Sequence, residues 1–199
     1  MLTKLRIRVE ELLCTLAEGL LKAGVGPNTM TALGFILAVS AGYFYAFSPQ
    51  PRFIWLAASL LLISGLFDAL DGAAARLSGR ATSFGSFLDS LLDRYSDVAV
   101  IFGITLSYRE VSVLGVSGMI WGILALTGSL LVSYTRAKGE SLGISMGGVG
   151  LAERPERILI IFASSIFLRP DLGLAAVAVL SNLTVAHRSL HIYRQSKPK

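Results

Sequence analysis

The sequence predicts an all-α integral membrane protein, six transmembrane helices preceded by an amphipathic surface helix, and three observations carry that prediction. Of the 199 residues, 53% are hydrophobic and 16% charged, with a mean hydropathy of +0.65, far too apolar for a water-soluble domain. Six hydrophobic segments, at 28–47, 53–76, 83–107, 113–137, 154–168 and 171–193, approach the roughly 17–25 residues a spanning helix needs. The bases fall unevenly between them: Arg52, Arg109 and Arg169 lie on one side, and all the others except Arg94 on the opposite side. That bias predicts a multi-pass protein of the cytoplasmic membrane with both termini in the cytosol.

The first element is residues 1–24, "MLTKLRIRVEELLCTLAEGLLKAG", where acids and bases recur at helical spacing. Leu2, Leu5, Val9, Leu12, Leu13, Leu16 and Leu20 share a face, as in a juxtamembrane helix lying on the membrane surface. No uninterrupted apolar run makes it a cleaved signal peptide. The six segments are then separated by "GVGPN", "SPQPR", "SGRATS", "SYREV", "SMGGVG" and "LRPD", the Gly, Pro, Ser and Asn clusters that end helices. The fifth is short, so its helix starts in the preceding loop or crosses obliquely. No repeat or second domain interrupts residues 1–199. A single cysteine, Cys14, excludes an intrachain disulfide and a cysteine metal cage. The net charge of +5 is accounted for by topology and anionic membrane lipids, with no nucleic-acid partner implied.

Between the second and third segments runs "DALDGAAARLSGRATSFGSFLDSLLDRYSD". Asp68 and Asp71, three apart, share one helix face, and Asp89, Asp93 and Asp97, four apart, share another. A short cytosolic turn makes the two helices antiparallel neighbours, so the acidic faces meet just inside the membrane. Each unpaired ionised acid there costs several kcal/mol. Arg76 and Arg94 can offset part of that charge in a purely structural ion-pair network, but two bases do not balance four acids. Hard divalent cations suit an all-carboxylate site, Mg²⁺ in particular being held by carboxylates together with substrate phosphates. Two such ions serve phosphoryl transfer by clamping the attacking and leaving oxygens. Gly72 and Gly85 leave the wall beside the acids without side chains, so a nucleotide diphosphate can approach the backbone; Gly65, Gly103 and Gly122 read as helix-packing positions.

The pattern Asp68-x-x-Asp71-Gly72-x-x-Ala75-Arg76, eight residues, then Gly85-x-x-x-Asp89-x-x-x-Asp93 resembles the complete signature of the CDP-alcohol phosphotransferases, six-helix membrane enzymes that use a CDP-linked lipid as donor. "GPNTMTALG" at the first segment resembles the family's Pro-Asn-x-x-Thr entry. The resemblance implies that Asp68, Asp71 and Asp89 hold two divalent ions, Mg²⁺ or Mn²⁺, with the donor pyrophosphate. Asp93 would contribute to the second ion and act as general base. Thr31, Gly34, Gly72, Ala75, Arg76, Thr82 and Gly85 would surround the CDP group. Asp97 lies outside the signature and is expected to pair with a nearby base.

The acceptor is read from "SYTRAKGESLG" and "GLAERPERI", which bring Arg136, Lys138, Arg154 and Arg157 to the same side as the aspartates. Positive-inside topology explains bases in number, but not an arginine directly after an apolar run or one at a helix N-terminus, where an anion is favoured. A phosphate on the acceptor explains Arg136 and Arg154, and Arg188 in "AHRSLHIYR" closes the pocket from a third side. These stretches resemble the branch of the family that uses inositol 1-phosphate, the phosphatidylinositol-phosphate and archaetidylinositol-phosphate synthases. Glycerol 3-phosphate is the rival acceptor; serine would leave the arginines without an anion. CDP-archaeol and CDP-diacylglycerol both remain open as donors. His187 and His191 have no acid near them in sequence and are not read as a metal pair. Small residues on the third and fourth segments, together with the resemblance, suggest a homodimer. The reading from another class is a divalent metal-ion transporter, which requires intramembrane acids accessible from both sides.

Overall fold

The computed structural model describes residues 2–47, 50–79 and 82–196. Seven helices form in these residues: α1 (Leu2–Lys22), α2 (Pro27–Phe47), α3 (Pro51–Ser78), α4 (Ser83–Tyr108), α5 (Gly118–Ser141), α6 (Arg154–Ile166) and α7 (Pro170–Gln195). Their boundaries follow local chemistry. Pro51, Pro155 and Pro170 stand in first turns, where a missing N–H is not needed. Gly79 ends α3 in the left-handed region at φ 62°, and Thr82 caps α4 by accepting from the Gly85 N–H at 2.9 Å.

The structure departs from the expected segments before α5. Residues 112–117 form a small antiparallel hairpin, β1 (Ser112–Val113) with β2 (Val116–Ser117), so that helix starts at Gly118 instead of 113 and runs on to Ser141. Leu114 and Gly115 make the turn with positive φ of 54° and 79°, the geometry of a tight two-residue hairpin. Helices α2, α3 and α5 are long and apolar enough to cross a membrane. α1 packs on α3: Leu13, Ala17 and Leu20 meet Leu70, Ala73 and Ala74, while Leu12 and Leu16 remain exposed. The side chains of Leu2, Leu5 and Val9 lie outside the described residues.

The core draws on every helix from α2 to α7, with Ala41, Tyr45, Leu61, Ile104, Ile158 and Val177 among its members. Small residues set the helix spacing. A Cβ on Gly103 would run into the backbone of Gly42, one on Gly122 into Thr105, and one on Gly65 into Ile158. Gly103 and Gly122 thus pack within one chain, so pairing of two copies would have to use other surfaces. Gly103→Ala is expected to lower stability by about 1–3 kcal/mol, because its neighbour is backbone and cannot rotate away. Thermal unfolding in detergent checks this against Gly19→Ala, which meets nothing within 4 Å and should leave the midpoint unchanged or raised. An unshifted midpoint for Gly103→Ala would contradict the close α2–α4 crossing.

Candidate active site

α2 packs against both α3 and α4, so those two helices are not the direct antiparallel neighbours the sequence predicted, yet the acidic end of α3 and the acidic start of α4 still converge. One carboxylate oxygen from each of Asp68, Asp71 and Asp89 lies within 4.8 Å of the other two. Asp71 is only 6% exposed, and Asp71 Oδ2 and Asp89 Oδ1 are buried without a hydrogen-bond partner. Buried, unpartnered carboxylate oxygens that converge on one point fit a hard divalent cation, which takes oxygen ligands and offsets the repulsion between them.

Asp93, one turn further along α4, faces Arg154 instead: its Oδ1 lies 2.6 Å from Arg154 Nη1. The same nitrogen is paired with Asp68, and Arg154 Nε is 3.8 Å from Asp97 Oδ1. The close balancing base therefore comes from the start of α6, with Arg94 only at the edge of ion-pair reach and Arg76 outside it. Arg76 is exposed, and Arg94 Nη1 reaches only to 3.9 Å from Asp93 while donating to the Ser90 carbonyl. Asp97 is held by Arg157 at 2.5 Å, the partner its position off the signature led us to expect.

Two cavities flank these acids. The first, of about 180 Å³, is lined by Thr31, Asp71, Gly72, Ala75, Thr82, Gly85 and Asp89. Five of the seven residues expected around a CDP group thus share one wall. Arg76 stands beside it, its Nη1 3.6 Å from where a Cβ on Gly72 would sit. Gly34 does not line this cavity. It faces the narrow gap bounded by Asp68, Asp71 and Asp93, and its carbonyl accepts from Ser64 Oγ at 2.8 Å. Asn28 and Ser86 also line the first cavity. Asn28 belongs to the "GPNT" entry and carried a signal that was not used; Ser86 carried none.

The second cavity, of about 280 Å³, is lined by Asp93 and by Arg136, Arg154, Arg157 and Arg188, with Glu153 among them. The three arginines expected to face an acceptor phosphate therefore converge, but their environments differ. Arg136 is half exposed, 3.1 Å from Glu140 and 3.6 Å from Glu153. Arg188 is 1% exposed and already donates to the carbonyls of Val149 at 2.7 Å and Val132 at 2.6 Å and to Glu153 at 2.6 Å. It ties α7 to α5 and to the segment before α6, building the cavity wall. Arg157 donates to Ala152 O at 2.9 Å as well as to Asp97. Glu153 accepts from Arg188 and lies near Arg136, a role the sequence hid because its partners are distant in the chain. His191 Nε2 lies 3.2 Å from the Ser145 carbonyl, away from the acids.

A small cavity beyond the acids is lined by Ser96, Asp97 and Arg157 together with Leu61, Val100, Ile101, Ile158, Ile161 and Val177, the last six being members of the hydrophobic core.

Carboxylates that can hold a divalent cation thus line one cavity and guanidinium groups that can hold an anion line the next. Comparison with known proteins gives the family. The model for CDP-alcohol phosphatidyltransferase matches residues 25–187, and the chain belongs to that family. It is 38% identical over 191 residues to the archaetidylinositol phosphate synthase of Pyrococcus horikoshii, with 94% of each chain covered. Its fold matches the crystal structure of the Mycobacterium tuberculosis phosphatidylinositol phosphate synthase with CDP-DAG bound. That match has a TM-score of 0.76 and 30% identity, covering 92% of this chain and 94% of that one. The same bacterial protein in complex with manganese and citrate matches with a TM-score of 0.74 and 30% identity over 91% of this chain and 88% of that one.

Proposed function

We propose that the protein transfers the phospholipid moiety of a CDP-linked lipid to 1D-myo-inositol 1-phosphate, releasing CMP and forming archaetidyl- or phosphatidylinositol phosphate. The observation that carries this is the place of Asp93, on the boundary between the acidic cluster and the arginine-lined cavity. A carboxylate there can take a proton from an acceptor hydroxyl while the acceptor's phosphate rests among guanidinium groups. The archaeal relative favours CDP-archaeol as the donor.

Asp68, Asp71 and Asp89 would hold two Mg²⁺ or Mn²⁺ ions together with the donor pyrophosphate, with Asp93 contributing to the second. Bound there, the metals would neutralise the donor pyrophosphate and the charge on departing CMP. Thr31, Gly72, Ala75, Thr82 and Gly85, with Arg76 at the edge and Gly34 behind the acids, would seat the CDP group. The acceptor hydroxyl gives its proton to Asp93 and its oxygen bonds to the lipid-bearing phosphorus. The bond from that phosphorus to the CMP oxygen breaks. Arg136 and Arg154 would grip the acceptor phosphate, and Arg188 would hold the wall behind them through Glu153.

In the membrane, α2 to α7 would provide six spans, with α1 on the cytosolic surface. The site residues favour this arrangement, since they lie at alternating ends of successive helices: the start of α2, the end of α3, the start of α4, the end of α5, the start of α6 and the end of α7. They share one face only if the helices run up and down. Both termini then lie on that cytosolic side. A homodimer, if formed, would use exposed side chains of the spans.

Arg136→Gln tests the acceptor assignment. Charge-assisted hydrogen bonds contribute roughly 1.5–3 kcal/mol each, so the KM for inositol 1-phosphate should rise about ten- to a hundredfold. The KM for the CDP-lipid should barely move. Equal effects on both substrates, or none on either, would contradict a phosphate site at Arg136. Glycerol 3-phosphate used in preference by the unmodified enzyme would replace inositol 1-phosphate as acceptor.

A further inference from the structure

We infer that Arg154 is a movable counter-ion that couples the two cavities: it is paired with Asp68 and Asp93 until an acceptor phosphate draws it away. The inference rests on the proposed acceptor and base but concerns an interaction that neither requires.

Three guanidinium groups are buried around the second cavity, and they are held in different ways. Arg188 makes three hydrogen bonds, two of them to backbone carbonyls. Arg157 makes one to a backbone carbonyl and one to Asp97. Arg154 is held by side-chain carboxylates: Asp68, Asp93 and Asp97 all lie within ion-pair reach of its Nε and Nη1. Removal of one partner therefore leaves it with others, and among the described residues no backbone carbonyl accepts from it. Its side chain, 13% exposed, also lines the cavity that Arg136 enters from the other side.

Asp68 is shared: it pairs with Arg154 and it is one of the three converging carboxylates. A carboxylate divided between a guanidinium and a divalent ion binds each more weakly than it would alone. An anion in the second cavity that takes Arg154 would return Asp68 to the carboxylate cluster and leave Asp93 free to accept a proton. Binding at the two cavities would then be mutually favourable, because coupling between sites is reciprocal. It would also keep Asp93 masked while no acceptor is present, which protects the donor from attack by water.

The test uses full-length protein in detergent, with Mn²⁺ binding followed by electron paramagnetic resonance. Arg154→Gln should bind Mn²⁺ about tenfold more tightly than wild type in the absence of any acceptor, within the range typical of coupled sites. Arg94→Gln removes the same charge from beside Asp93 but not from Asp68, and should shift affinity by less than about fivefold, as for weakly held pairs. In wild type, inositol 1-phosphate should tighten Mn²⁺ binding, and Arg154→Lys should preserve part of that effect. Unchanged or weaker Mn²⁺ binding by Arg154→Gln, or an equal gain in Arg94→Gln, would overturn the inference. Should Arg154→Gln not fold, the wild-type measurement decides: inositol 1-phosphate that binds without changing Mn²⁺ affinity overturns the coupling while the acceptor assignment stands. Inositol 1-phosphate that does not bind at all overturns the acceptor assignment, and tighter Mn²⁺ binding by Arg154→Lys, whose ammonium forms weaker pairs with two carboxylates, would still support the counter-ion role. Unchanged Mn²⁺ binding in that variant would overturn it.

Discussion

Asp93→Asn is expected to lower turnover by roughly 10²–10⁴-fold, the range a general base contributes, while the protein stays folded. Asparagine keeps the side-chain volume but cannot take the proton of the acceptor hydroxyl. The fold should tolerate it, because Arg154 retains Asp68 and Asp97 as partners and α4 keeps its Thr82 cap. The rate of CMP release at saturating donor and acceptor, with thermal unfolding measured alongside, separates the two effects. A variant that kept more than about a tenth of the wild-type rate would remove Asp93 from the role of base.

Asp71→Ala should abolish turnover and, at the same time, metal-dependent stabilisation. Asp71 is buried, one of its oxygens has no hydrogen-bond partner, and no ion pair holds it among the described residues. It therefore contributes repulsion and desolvation to the metal-free fold and little attraction. Without metal, the variant should unfold at the wild-type temperature or above it. Mn²⁺ at about a hundred times its dissociation constant should stabilise wild type by about 2.7 kcal/mol and leave Asp71→Ala unmoved. A variant destabilised without metal, or one still stabilised by Mn²⁺, would show that Asp71 serves the packing of α3 against α2 and not an ion.

The acidic half of this site was legible because its spacing is local. Asp68 and Asp71 lie one turn apart, as do Asp89 and Asp93, and only four residues separate their helices, so the acidic ends stay close although α2, packed on both helices, keeps them from being direct neighbours. Thr82 and Gly85 could be placed for the same reason, since one caps the helix that the other enters. The basic half depends on contacts across the whole chain. That Arg154 meets Asp68 and Asp93, and that Arg188 is committed to Val132, Val149 and Glu153, follows from how α6 and α7 pack on α3, α4 and α5. Helical periodicity does not encode that packing. Gly34 shows the same limit: a glycine that admits a ligand and one that admits a neighbouring helix look alike in sequence, and here Ser64 donates to its carbonyl while Gly34 also faces the gap beside the acids. The hairpin at 112–117 escaped notice because its turn carries Leu114, an exposed apolar residue at positive φ, where Asn or Asp would have signalled a turn.

The central claim is that the acidic cluster and the arginine-lined cavity act together to join a CDP-linked lipid to inositol 1-phosphate. The measurement that tests it most directly is mass spectrometry of the lipid formed by the purified protein. The assay would supply CDP-archaeol or CDP-diacylglycerol, Mg²⁺, and equal concentrations of inositol 1-phosphate and glycerol 3-phosphate. The account predicts an inositol-phosphate lipid as the main product, one CMP released for each lipid made, and no product when a chelator removes the metal. A glycerol-phosphate lipid as the main product, or release of CMP without any new lipid, would contradict it.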